Sequence, residues 1–271
     1  MRKTLSQALL VFAAATLAAC GGDKKDRANE YPYDPDETTI IGAGTGPEVV
    51  ETPDGSDCVR VNEFTCVSPQ DECGDDATTD VVVDADGNVV DTICYPNEGA
   101  TVETISAETV PVQKTQNNSV VVLDGLDDGV DIEGDLSVDA NNVVIWGEDP
   151  DVSIIDGDVD ITKNNAIIRG VRITGDVTID YNNAHFLLCV IEGDLTINGN
   201  NDTIAGCEVW GSVAINGENA VLVSNLLADA GPYAAQGLVC NDNTSFVDEN
   251  EDGVIDDDEL GDEVVCDDKA Q

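Results

Sequence analysis

The chain has 271 residues, with 56 Asp and Glu against 11 Lys and Arg, a formal net charge of −45 at pH 7. That length holds one or two domains and a sizeable core. The acidity excludes nucleic acid as a partner, because phosphate contacts need a basic face, and it argues against anionic lipid headgroups. It favours solubility, cation binding and high ionic strength, where self-repulsion is screened. With 2 Trp, 5 Tyr and 4 Phe, the core has to be built from Val, Ile, Leu and Ala.

Residues 1–19 read as a secretion signal: Arg2 and Lys3 form a positive start, and an apolar run follows from Ala8. That run is too short to cross a bilayer, which takes about 20 residues. It ends Leu17-Ala18-Ala19-Cys20, followed by Gly21-Gly22. The sequence resembles the lipobox of bacterial lipoproteins. The resemblance implies cleavage before Cys20, diacylation of its sulfur, and anchoring by two or three acyl chains where one would not hold. With Gly rather than Asp after Cys20, it implies the outer membrane in a diderm bacterium. An ordinary secretory signal with a chance cysteine is the alternative.

Cysteine usage fits export. Of 9 cysteines, setting Cys20 aside leaves an even number, which in an exported chain suggests disulfides. Neighbourhood groups them as Cys58, Cys66, Cys73 and Cys94, then Cys189 and Cys207, then Cys240 and Cys266. The C-x2-4-C spacing of zinc sites is absent.

Residues 20–57 read as a lipidated tether, rich in Pro and Gly and without periodicity. Residues 58–100 read as a small disulfide-rich β module. Val81-Val82-Val83 and Val89-Val90 flank Asp84-Ala85-Asp86-Gly87-Asn88, which predicts a hairpin. Turn chemistry accounts for Asp84 and Asp86 better than a calcium loop, whose later ligands are missing.

Residues 101–230 carry an internal repeat. Gly-Asp recurs at Gly134, Gly157, Gly175 and Gly193, and Gly211-Ser212 continues it. Seven residues after each glycine stands Asn141-Asn142, Asn164-Asn165, Asn182-Asn183, Asn200-Asn201 or the variant Glu218-Asn219. The first interval is longer than the others, which places an insertion near residues 147–151. Asn117-Asn118 before Val120-Val121-Val122 marks an earlier, degenerate coil. Aliphatics alternate after each glycine, as in Val177/Ile179 and Leu195/Ile197, with Ile168, Phe186 and Ile204 eleven residues on. Short period-2 strands between fixed corners predict a stacked parallel array, in which neighbouring coils bury each other's faces.

The stretch from Asn164-Asn165-Ala166-Ile167-Ile168-Arg169-Gly170 to Gly175 resembles the repeats of right-handed parallel β-helix proteins of the pectate-lyase-like group. The resemblance implies an all-β fold: a single-stranded right-handed β-helix of about six 18-residue coils. It implies little about activity, since that fold hosts many. A left-handed hexapeptide helix is the rival, because aliphatics recur every six residues at Ile155, Ile161, Ile167, Ile173 and Ile179. The asparagines suit an inward ladder at a tight corner, where Asn tolerates a left-handed backbone.

Two columns follow from stacking. Cys189 and Cys207 fall at one coil position, and strands about 4.8 Å apart allow a bridge; stacked buried thiols are the alternative. Asp135, Asp158, Asp176 and Asp194 form a second column. They could hold a cation between them, or each could cap its own Gly-Asp corner, and capping is preferred.

In residues 231–271, the run from Asp248 to Glu259 matches the 12-residue EF-hand calcium loop. The resemblance implies side-chain ligands from Asp248, Asn250, Asp252 and Asp256, a carbonyl from Val254 and two oxygens from Glu259, with Gly253 at the sharp turn and Ca2+ as the cofactor. The flanks depart from the family, since Asn241-Asp242-Asn243-Thr244-Ser245 makes a poor helix and Leu260-Gly261 cuts short the other. Cys240 and Cys266 bracket the loop.

No catalytic residue is assigned. His185, the only histidine, reads as a surface residue. The expected function is an exported, lipid-anchored, calcium-binding surface protein that is not an enzyme. Its β-helix would serve as a structural scaffold or bind a polysaccharide or another surface protein. The alternative is a calcium-assisted polysaccharide lyase or hydrolase, with Arg169, Arg172 and Lys163 as the scarce bases.

Overall fold

The computed structural model describes residues 38–42, 48–51, 57–60, 66–67, 79–83, 89–95, 100–105, 116–123, 130–250, 253–256 and 258–268. The signal segment, Cys20, Cys73 and the turn at 84–88 lie outside the described residues. The described residues hold strands and no helix. From Thr101 onward most strands stack in parallel into three sheets, compatible with a β-helix-like fold, and Tyr233–Ala235 pairs with Cys266–Asp268 in a separate two-stranded sheet.

The five-stranded sheet runs Leu136–Val138, Val159–Ile161, Val177–Ile179, Leu195–Ile197 and Val213–Ile215. Its register pairs equivalent repeat positions, Val159 with Val177 and Val177 with Leu195. The two eight-stranded sheets hold the other strands of each coil. One includes Ser119–Leu123, Val143–Gly147, Ala166–Arg169, His185–Leu187, Thr203–Ala205 and Val221–Val223. The other includes Ser153–Asp156, Arg172–Ile173, Val190–Ile191 and Glu208–Val209. The extra residues of the long interval lie at 147–152. Val143 pairs with Ala166 across them, while Ile154, beyond them, pairs with Arg172. They form a turn in which Ser153 N–H donates to the Asp149 carbonyl at 2.9 Å.

Sterics fix the corners. A Cβ at Gly175 would stand 2.6 Å from the Gly157 carbonyl oxygen, and one at Gly193 would stand 2.4 Å from that of Gly175. Only glycine lets successive coils approach this closely. The second asparagine of each pair takes the left-handed backbone: Asn118, Asn142, Asn165, Asn183, Asn201 and Asn219 all have φ between 56° and 60°. Their amides form a ladder, Asn165 Nδ2 donating to Asn142 Oδ1 at 2.8 Å and Asn183 to Asn165 at 3.0 Å. This ladder is not inward as expected. Asn142, Asn165, Asn201 and Asn219 are exposed, and the interior of the corner is taken by Ala166, Ala184 and Ala220. An amide turned into an aliphatic core would lose its water for few partners.

Inside the stack, Leu136, Val159, Ile161, Ile168, Ile173, Val177, Phe186, Ile191 and Leu195 form one continuous apolar core. Ile167 is not part of it. It belongs to a second cluster outside the stack, so the six-residue recurrence of isoleucines is not an inward periodicity.

That second cluster is where the N-terminal module sits. Thr79–Val83 pairs antiparallel with Val89–Cys94, as the hairpin reading expects, and parallel with Thr38–Gly42. Thr38–Gly42 and Glu48–Glu51 are strands within the stretch read as a tether; β-branched Thr39-Ile40-Ile41 favours extended backbone. Ile41, Val82, Ile93 and Tyr95 pack on Val120, Val144, Ile167, Leu187, Ala205 and Val223, the outward residues of one eight-stranded sheet. At the other end, Leu260–Glu263 pairs antiparallel with Thr244–Phe246, and Cys240 is bonded to Cys266 with their Cα atoms 5.9 Å apart. Cys94 is also disulfide-bonded.

Candidate functional site

The acidic loop after Thr244–Phe246 closes on itself. Gly253 has φ +77°, a backbone glycine adopts freely, and its N–H donates to Asp248 Oδ2 at 3.0 Å. Glu259, 8% exposed, reaches back across the loop. Its Oε1 accepts from the N–H groups of Glu249 at 3.0 Å and Asn250 at 3.4 Å, and its Oε2 accepts from Asp256 N–H at 3.0 Å. Asp248 Oδ1 is buried, and among the described residues no donor reaches it. The first and last carboxylates of the loop thus lie at its two ends with the glycine turn between them. A buried, unpartnered carboxylate oxygen is costly unless a proton or cation meets it. Asp252 lies outside the described residues, and among those described no three His, Cys, Asp or Glu side chains converge as a ready metal site. Val254 is exposed.

The second expected site takes a different form. Asp135 Oδ1 accepts from Asp158 N–H at 3.1 Å, Asp158 from Asp176 and Asp176 from Asp194 at 2.8 Å each, and Asp194 from Ser212 at 2.7 Å. Each carboxylate therefore caps the backbone of the next coil. The Ser212 backbone and hydroxyl hold the Asp194 carboxyl below the usual carboxylate range.

Cys189 and Cys207 are free thiols in the stack, each 1% exposed, which corrects their expected bridge. They belong to an inward column of a different kind. Cys189 N–H donates to Cys207 Sγ at 3.3 Å, Cys207 N–H to Asn225 Oδ1 at 2.9 Å, and Asn225 N–H to Asn243 Oδ1 at 3.1 Å. The sulfur accepts a backbone N–H here, as the amide oxygens do further along.

The scarce bases are all engaged. Arg169 Nε donates to Asp80 Oδ2 at 3.0 Å, and its guanidinium lies over the Trp146 ring at 4.3 Å. Tyr95 Oη donates to the same Asp80 oxygen at 2.6 Å, and its ring meets Trp146 edge-on. Burial and Asp80 push the Tyr95 phenol well above its ordinary value. Arg172 spans Asp151 at 3.2 Å and Glu192 at 3.0 Å, and Lys163 lies over the Tyr181 ring. His185 points outward, as its parity predicts, but it is covered by the module rather than solvated. Its Nδ1 stands 3.4 Å from Asp91 Oδ2, which also accepts from the Thr203 hydroxyl at 2.5 Å. Burial pushes the Asp91 carboxyl up; His185, Thr203 and the Thr92 N–H outweigh it and leave it below its ordinary value.

Asp80, Tyr95, Trp146, Asp91 and Thr203 are residues that sequence reasoning passed over. The legible signal was the outward apolar series Val144, Ile167, Leu187, Ala205 and Val223. A strand apolar on both faces is covered on both faces. Comparison of the chain with protein-family models, with curated proteins and with solved structures finds no match.

Proposed function

We propose that this is an exported, lipid-anchored, calcium-binding surface protein. In this reading a right-handed single-stranded β-helix of about six 18-residue coils serves as a rigid scaffold for a glycan or protein ligand. Lipidation of Cys20 would hold it to the membrane, and in a diderm bacterium to the outer membrane. The loop from Asp248 to Glu259 would take Ca2+, with Asn250, Asp252, Asp256 and the Val254 carbonyl completing the oxygen set. The observation that carries the reading is the closure of that loop: Gly253 N–H on Asp248, Glu259 folded beneath it, and a buried Asp248 oxygen with no donor among the described residues. A hard cation supplies what that oxygen lacks. The non-enzymatic reading is supported by the engagement of Arg169 and Arg172 in ion pairs, which leaves neither as a free base.

The test is calorimetric titration of the full chain with Ca2+, beside Asp248→Ala and Glu259→Gln. We expect one site with a Kd of about 0.1–1 mM, the range of extracellular modules, and its loss in both variants. Unchanged heats in the variants would remove the loop from the reading. A polysaccharide panel run with Ca2+ and with chelator separates the roles: binding without cleavage supports the scaffold, and release of unsaturated or reducing ends overturns it.

A further inference from the structure

Just inside three of the Asn corners the repeat places an alanine. Ala166, Ala184 and Ala220 occupy that position, each 0–1% exposed. In the coil between Ala184 and Ala220 the position is Asp202, at 0% exposed. Ala184 N–H donates to Asp202 Oδ1 at 2.7 Å. Oδ2 is buried, and among the described residues no donor reaches it. A carboxylate oxygen left without a donor in a dry, alanine-lined corner is costly unless the group carries a proton. Burial accordingly raises the Asp202 carboxyl to about 7, against the opposing pull of the Ala184 N–H and His185.

The position also matters. Ala184, which donates to Asp202, precedes His185, and Asp202 precedes Thr203. His185 and Thr203 are the two residues that meet Asp91 of the N-terminal module. His185 is the titratable group that faces Asp202 from the preceding coil, and Asp91 lies beyond Thr203. In the following coil Ala220 is uncharged, and Glu218 is on the exposed corner.

We propose that Asp202 is a proton-controlled latch at the seam between the coil stack and the N-terminal module. Carrying its proton, it leaves no bare charge in the corner and keeps His185 and Thr203 in place beneath Asp91. Ionised, it puts an uncompensated oxygen into the core and loosens the seam. A carboxyl raised in the folded state contributes stability that is fully present below the ordinary carboxyl range and lost as pH rises through about 7. Asp91, held low, stays ionised through that window and does not open the seam. The latch is independent of calcium.

The test uses the full chain in a mild detergent. Thermal unfolding is followed from pH 5 to pH 8.5 for the wild type, Asp202→Asn and Asp202→Ala, the last restoring the residue of the neighbouring coils. The wild-type Tm is expected to fall by about 5–10 °C across the window. In both variants most of that fall should vanish, and Asp202→Ala should melt above the wild type at pH 8.5. The chain has one histidine, so its imidazole C2–H signal reports on the seam. In the wild type that signal should show an extra inflection near 7 that is absent from the variants. A wild-type slope retained in either variant overturns the latch, and so does an identical His185 titration in all three.

Discussion

The two sheets built on Val143–Gly147 and on Val159–Ile161 share one coil, one register and one kind of interior, yet they meet opposite surroundings. On the first, the outward residues are Val144, Ile167, Leu187, Ala205 and Val223, and the module covers them. On the second, the outward column is Ser137, Asp160, Thr178, Thr196 and Ala214, and it faces water. There Asp160, pushed up by desolvation and then by Asp180, Asp158 and Asp135, titrates above its ordinary value. The inward residues make the stack, and the outward ones decide what lies against it. The two tasks are separable because side chains alternate along each strand.

The largest effect should come from what both sheets share. Gly175→Ala places a Cβ 2.6 Å from the Gly157 carbonyl and 2.2 Å from Asp158 Oδ1. The carboxylate can swing away but the backbone cannot, so the coil spacing must open. A loss of about 3 kcal/mol or more is expected, read by denaturant unfolding, with both sheets melting together. An unchanged midpoint would mean that the corners yield more than close packing allows.

The next substitutions should separate the sheets. Arg169→Ala removes the partner of Asp80, which is 1% exposed. A buried carboxylate left without its cation destabilises by about 3–5 kcal/mol; the Tyr95 hydroxyl, still donating, keeps the value near the lower end. Thr178→Ala on the open sheet should change stability by about 0.5 kcal/mol or less. Equal losses would erase the distinction between covered and open faces. Trp146 fluorescence reports the first variant directly, since Arg169 and Tyr95 both lie against that ring.

The stack was legible because its constraints repeat. Gly-Asp, Asn-Asn and alternating aliphatics state the corner, the left-handed residue and the strand once per coil, and the insertion at 147–152 shows as a single long interval. Cys240 and Cys266 were legible as brackets around a loop. The module's seat was not, because it rests on single pairs far apart in the chain: Asp80 meets Arg169, and Asp91 meets His185 and Thr203. No periodicity announces a pair that occurs once. Asp202 stood in plain view as the acid in an alanine column, but the exception has meaning only once the column is known to be buried. The asparagines misled in direction alone, since a left-handed backbone turns the corner without saying which way its amide points. Of the acidic loop, the twelve-residue pattern was legible in sequence, and the structure adds the contacts of Glu259 and Asp248 with the loop backbone.

The smallest effect belongs to the carboxylate column at the corner that leads into the open sheet. Asp194 Oδ1 accepts the Ser212 N–H at 2.7 Å at the surface. Its carboxyl is held low, so this contribution is present above the ordinary carboxylate range and is lost as pH falls through the lower, folded value. Asp194→Ala should leave the melting temperature within about 1 °C, because an exposed cap carries little of the fold. Hydrogen exchange at the Ser212 amide should nonetheless quicken, while the amides of the covered sheet stay unchanged. Asp194→Asn keeps an oxygen in place and should preserve the protection. If the Asn variant loses protection as fully as the Ala variant, charge rather than geometry holds the column. The four stacked carboxylates would then act as a cation ladder and not as four caps.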